Sequence, residues 1–413
     1  MSKILRLVMA LLVCLLLTSS VIFAADEEQK PKPRHPSYSL LGHDPPPEDS
    51  PLNPNFVTTQ ESKVIEGTLW HSSYISERLV GLDIGDVTGS NLNEIVYVTL
   101  NTVYLSRRNG EILDQLATYD IPLTLKVLSV DLFDSDGDGR DEIFLSCQKE
   151  GSGASSIVLA YDGQKKLKVL ADFIPFYIRA VLYNNVKTLA VQKSGTTPQS
   201  GYGGNVLTAS FSGGKIVTSG KIPLPFGVNL YNFTSGKVGS KKTNMTLTVT
   251  PPYEHLTVYE GNSTNDFIWG STENYCSTLN AIDLNASSEN STALEYIPSR
   301  ILLFDIDKDG NNEVVVARNQ QDGITSLKNL RSFNGGVIEA LKFSNLSMVS
   351  FFNSTNLIPG PAVDYKLADF DNNGTTDLVI GVVIRPGSGS LKKDARSIIV
   401  SYSNLYAPPK VQN

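Results

Sequence analysis

Three short stretches of this 413-residue chain place carboxylates at alternate positions in what read as tight loops. The first sets Asp134, Asp136 and Asp138 at positions one, three and five, Gly139 at six and Glu142 at nine. The second repeats the pattern with Asp305, Asp307, Asp309, Gly310 and Glu313, and the third with Asp369, Asp371, Asn373, Gly374 and Asp377. Alternate carboxylates in a tight turn point inward. Glycine at six permits the bend, an acid at nine reaches back to close the cage, and position seven (Arg140, Asn311, Thr375) offers its backbone carbonyl. Such an all-oxygen shell suits a hard cation, Ca²⁺ better than Mg²⁺, which tolerates irregular cages poorly. The expectation is about three Ca²⁺ sites.

Two competing readings exist. The EF-hand shares the spacing through position six but needs Glu at twelve and flanking helices. Position twelve here is Leu145, Val316 or Ile380, each within an apolar or β-branched run, which excludes it. The other reading is an ordinary Asp/Asn-Gly hairpin turn with solvated charge. Three copies at the same place between apolar runs favour the metal. A fourth, weaker copy begins at Asp86 and keeps Glu94, but has Thr88, Ser90 and Asn91 where acids and glycine belong. It is expected to be a poor metal loop.

The elements that position these loops follow from their flanks. Each loop lies between an apolar run and a β-branched run, which reads as strand, loop, strand. The leading acids at 86, 134, 305 and 369 are 48, 171 and 64 residues apart. The long gap accommodates two further units without acidic loops, one near 180 with Asn184-Asn185 as its turn and one near 230. A period of roughly 50 residues is that of a four-stranded propeller blade. The spacing predicts an all-β propeller of about seven blades, alternatively six, depending on how residues 261–296 are divided. The segment around 56–78, with Val64, Ile65 and Trp70, is expected to supply outer strands to the last blade near Ile398–Val400 and so close the ring.

The loops and their setting resemble the FG-GAP/VCBS repeat family, a calcium-loop β-propeller also seen in the integrin α-subunit head. The resemblance covers roughly residues 82–402. It implies calcium cages between the first two strands of a blade, on the face opposite the ligand surface, so that the acidic loops would be structural. Clear Phe-Gly/Gly-Ala-Pro signatures are missing and the middle blades are degenerate, so integrin-type adhesion is not implied. The repeat style is similar to that of bacterial exported propellers.

At the N-terminus, Lys3 and Arg6 precede an apolar run from Leu7 to Leu17 and small residues near Ala24. This reads as a secretory signal peptide over 1–24, too short for a confident membrane span. Residues 25–55 are Pro-rich and charged, as expected of a disordered linker. The propeller is then assigned to 56–407 and a tail to 408–413. The expected location is secreted, periplasmic or cell-surface, with no transmembrane domain after cleavage.

Composition narrows the function. With 35 Lys+Arg against 42 Asp+Glu, net charge −7, the chain lacks the basic balance of a nucleic-acid binder. Cys147 and Cys276 are read as buried small hydrophobes, with pairing as the alternative. Eight Asn-x-Ser/Thr sequons in a chain so rich in Asn, Ser and Thr do not by themselves show glycosylation. Of four histidines, His35 and His43 fall in the linker, which leaves His71 and His255 as candidate bases. No nucleophile elbow or phosphate loop is present, so no catalytic residue is assigned and the chain is not expected to be an enzyme. The expectation is a non-catalytic interaction or scaffolding module with an unknown protein or glycan partner. A glycan would use loop aromatics (Tyr202, Tyr253, Tyr259, Trp269, Tyr275), and a propeller hydrolase or lyase is the remaining alternative.

Overall fold

A computed structural model describes residues 58–64, 68–197, 200–240, 243–250, 253–261, 266–284, 293–321, 331–354, 358–387, 394–403 and 405. The expected signal peptide, linker and tail lie outside them. The described residues contain 28 strands and no helix, hence no helix long and apolar enough to cross a membrane.

The strands form a six-bladed propeller of four-stranded antiparallel sheets. Blade 1 holds β3 (Leu79–Gly85), β4 (Glu94–Thr99), β5 (Thr102–Asn109) and β6 (Ile112–Asp120). Blade 2 holds β7 (Leu125–Phe133), β8 (Glu142–Lys149), β10 (Ser156–Tyr161) and β11 (Leu167–Ile174), with the short β9 (Gly153–Ala154) on β8. Blade 3 runs through β12 (Tyr177–Tyr183), β13 (Val186–Thr197), β14 (Ser200–Ser212) and β15 (Lys215–Lys221). Blade 4 has β16 (Phe233–Gly236), β17 (Met245–Thr250), β18 (His255–Glu260) and β19 (Phe267–Asn274). Blade 5 has β22 (Leu302–Phe304), β23 (Glu313–Gln321), β24 (Phe333–Ser344) and β25 (Ser347–Asn353), to which β1 (Thr58–Val64) adds a parallel fifth strand. Blade 6 combines β26 (Ala362–Ala368), β27 (Asp377–Arg385) and β28 (Arg396–Ser403) with β2 (Thr68–His71) from the other end of the chain. The register Trp70↔Ser401 and His71↔Val400 is the ring closure expected from sequence, but the expectation is corrected for β1, whose Val64 pairs with Asn353 of blade 5 and not with the last blade.

Second strands are buried on both faces between neighbouring blades, which explains their unbroken apolar runs. In β4, β8 and β27 nearly every residue is buried. The core lies between blades: Val96, Val98, Val130 and Leu145 pack blade 1 on blade 2, and Ala340, Tyr365 and Ile380 pack blade 5 on blade 6.

The count of seven is corrected to six. Residues after β19 build a two-stranded ribbon, β20 (Ala281–Asp283) with β21 (Leu294–Tyr296), and not a seventh blade. This connection crosses the propeller axis. It reaches blade 1 through Asn280 Nδ2 to the Val80 carbonyl (2.6 Å) and blade 2 through Asp283, bonded to Gln148 and Lys126. Glu295 accepts from the Gly201 amide of blade 3, and Ser277 bonds Glu254 of blade 4. Asn319 of blade 5 donates to the Ser277 carbonyl, and the Tyr365 hydroxyl of blade 6 bonds the Arg300 carbonyl. One segment thus ties all six blades together, at the end opposite the acidic loops.

Candidate metal centres

Each acidic loop joins the first strand of a blade to its second, and all four share one backbone geometry. Positions four and six are left-handed throughout: Gly89 and Asn91, Gly137 and Gly139, Lys308 and Gly310, Asn372 and Gly374, with φ at position six of 57°, 85°, 87° and 86°. Glycine is favoured there because a side chain is strained at positive φ. The first acid folds the loop around itself by accepting backbone amides. Asp134 takes those of Gly137 and Gly139 (2.7 and 3.0 Å), Asp305 those of Asp309 and Gly310, and Asp369 those of Asn373 and Gly374. Asp86 does the same with Gly89, Ser90 and Asn91, so the fourth loop keeps the fold although it lost the acids.

The acid at position nine is divided between two tasks. One oxygen always accepts the amide of position two: Glu94 from Val87, Glu142 from Ser135, Glu313 from Ile306 and Asp377 from Phe370, at 2.9 to 3.1 Å. The other oxygen joins the converging loop acids in blades 5 and 6, whereas in blade 2 the converging set is Asp134, Asp136 and Asp138 without Glu142. In blades 5 and 6 that oxygen, on Glu313 and Asp377, is buried and makes no hydrogen bond, as does one oxygen of Asp307. A buried polar atom without a partner is costly, and a cation at the loop centre would satisfy it. Burial together with the neighbouring Asp307 and Asp309 pushes the Glu313 carboxyl up to about 7, against the pull of the Ile306 amide and Lys342.

Ligand atoms converge in all three acidic loops. Asp134, Asp136 and Asp138 bring one oxygen each within 4.8 Å of one another, as do Asp305, Asp307 and Glu313, and Asp369, Asp371 and Asp377. Asp138 and Asp309 turn one oxygen onto the amides of Arg140 and Asn311, and Asn373 turns its oxygen onto that of Thr375. The donor set is therefore all-oxygen and convergent, and it fits a hard divalent ion.

A second charged cluster, not foreseen from sequence, lies on the axis. Arg300 holds Asp364 through two bonds (2.7 and 2.8 Å), donates to the Leu82 and Val130 carbonyls, and stands 3.7 Å from both Asp83 and Asp131. Arg179 pairs with Asp131 at 2.6 Å and Lys366 with Asp83 at 2.7 Å. Burial opposes charge on Asp83, but Lys366, Arg300 and Lys187 outweigh it and hold this carboxyl well below the usual range. The signal in the sequence was an aspartate three residues ahead of two loops, Asp83 before Asp86 and Asp131 before Asp134. Beside the cluster lies an axial cavity of about 230 Å³, lined by Arg179, Lys187, Arg300 and Lys366 among apolar side chains. Three of those four cations are already paired.

Of the five aromatics expected as glycan anchors, two are core and two, Tyr202 and Tyr259, are partly buried. Trp269 and Tyr275 are 0% and 1% exposed, and only Tyr253, at 70%, projects freely. Cys147 and Cys276 are buried free thiols. No protein-family model and no curated protein matches the chain.

Proposed function

We propose that this chain is an exported, calcium-stabilised propeller of FG-GAP/VCBS type that serves as a non-catalytic protein-interaction module in the periplasm or at the cell surface. The observation that carries the metal reading is the position-nine carboxylate, with one oxygen bonded to backbone and the other buried and unbonded in blades 5 and 6. The acids would hold the ion, and the ion would fix the first turn of blades 2, 5 and 6.

The interaction reading rests on the opposite end. That end exposes Tyr74, Leu123, Phe226 and Tyr253 on connections and Phe173 near the end of β11, at 62 to 94%. Exposed aromatics are frequent anchors at protein interfaces. Burial of Trp269 and Tyr275 weakens the glycan alternative, and His71 and His255 stand in different blades.

Extracellular calcium modules bind with Kd of roughly 0.1–1 mM, and at ten times Kd one ion stabilises a fold by about 1.4 kcal/mol. Filling even two of the three loops should raise the melting temperature by about 5 °C at roughly 2 °C per kcal/mol. Thermal unfolding in calcium and in EGTA tests this. Equal transitions in both would reduce the acidic loops to turns.

A further inference from the structure

The four loops share a backbone but differ at one neighbouring position. On the third strand, the residue beside the position-nine acid follows from the register. Ile95↔Ser106 places Arg107 beside Glu94, Leu159↔Ile143 places Ala160 beside Glu142, Val314↔Leu341 places Lys342 beside Glu313, and Leu378↔Tyr402 places Ser403 beside Asp377. In blade 1 the Arg107 guanidinium bonds Glu94 Oε1, Thr88 Oγ1 (3.1 Å) and Ser90 Oγ (2.7 Å). These are positions nine, three and five, the ligand positions of the other loops. In blade 5, Lys342 Nζ lies 2.6 Å from Asp307, 2.6 Å from Asp309 and 3.8 Å from Glu313, again positions three, five and nine.

We infer that this register position decides what neutralises each loop: a tethered cation in blades 1 and 5, and an exchangeable divalent ion in blades 2 and 6. This rests on the metal reading proposed above and sets its stoichiometry. Arg107 takes the ion's place permanently, because Thr88 and Ser90 leave too few acids to displace it. Lys342 competes with calcium for a full set of acids, so an ion enters blade 5 only when the ammonium swings out. Ala160 and Ser403 carry no charge, although the Ser403 hydroxyl lies close enough to the Asp377 carboxyl to favour its ionised form. The nearest cations in blades 2 and 6 approach from elsewhere and only to 3.5 Å: Arg140 at Asp138, exposed, and Arg108 at Asp371. Arg108 is held against the Trp70 and Phe370 rings, 4.9 and 5.4 Å from their centroids, and does not bond the free oxygen of Asp377.

Calcium titration calorimetry of the full chain, with the Lys342→Ala and Ala160→Lys variants, tests the assignment. The native protein should bind two ions tightly and a third at least about tenfold more weakly, the weight of the displaced charge-assisted bonds. Lys342→Ala should tighten the third site by about that factor, and Lys342→Arg should not. Ala160→Lys should remove one of the two tight ions. Circular dichroism in EGTA would confirm that each variant folds. Three equal ions in the native protein, or a Lys342→Ala titration identical to native, would overturn the inference and leave the metal reading standing. No calcium bound by any variant would overturn the metal reading itself.

Discussion

Charge gathers in two regions of this propeller, and the fold treats them in opposite ways. On the axis, Arg179, Arg300 and Lys366 meet Asp83, Asp131 and Asp364 in a buried cluster in which each cation is paired within the chain. At the acidic-loop end, carboxylates converge three at a time, and the buried free oxygen of Asp377 has no cation within ion-pair distance, whereas the one such oxygen on the axis, on Asp131, stands 3.7 Å from Arg300. Pairing inside the fold gives a link that needs no ion from solution and is only weakly screened by salt. Convergence without a partner leaves the balance of charge to an ion from solution. Blades 1 and 5 show the intermediate solution, in which a strand neighbour supplies the cation.

The comparison can be broken in several places. Arg300→Met should have the largest effect, because it strands Asp364 and loosens Asp83 and Asp131. Removing one member of a buried pair costs about 3–5 kcal/mol, and the loss should be the same with calcium or EGTA in chemical denaturation. Combining Asp134→Asn with Asp369→Asn should abolish nearly all calcium-dependent stabilisation, about 3 kcal/mol at ten times Kd for two ions. In EGTA the same double variant should unfold near the native transition. Arg107→Met should cost about 2 kcal/mol through lost charge-assisted bonds, and calcium should not restore it. A calcium-rescued Arg107→Met would show that the blade 1 loop retains a metal site.

Much of this was legible in the sequence because it is local. Loop spacing, the strand pairs around it, the Asn184-Asn185 turn and the closing role of Trp70 all follow from residues close in sequence or from strand pattern. The blade count failed at residues 261–296, where one strand-like run completes blade 4 as β19 and two others form a ribbon across the axis. Its contacts, such as Asn280 to Val80 and Asp283 to Gln148, join residues more than a hundred positions apart, which no local pattern encodes. Trp269 was read as a loop aromatic for the same reason, although it is a fully buried residue of β19. Arg107 and Lys342 were visible only as basic residues in third strands. Their meaning needed the register that sets them beside Glu94 and Glu313.

The most direct test of exchangeable ions at the acidic loops is a crystal structure of the protein grown in millimolar calcium, with anomalous scattering to locate the metal. The account predicts peaks among Asp134, Asp136 and Asp138 and among Asp369, Asp371 and Asp377, a weaker one beside Lys342, and none beside Arg107. A peak in the blade 1 loop with Arg107 displaced, or no peak in blades 2 and 6, would contradict it.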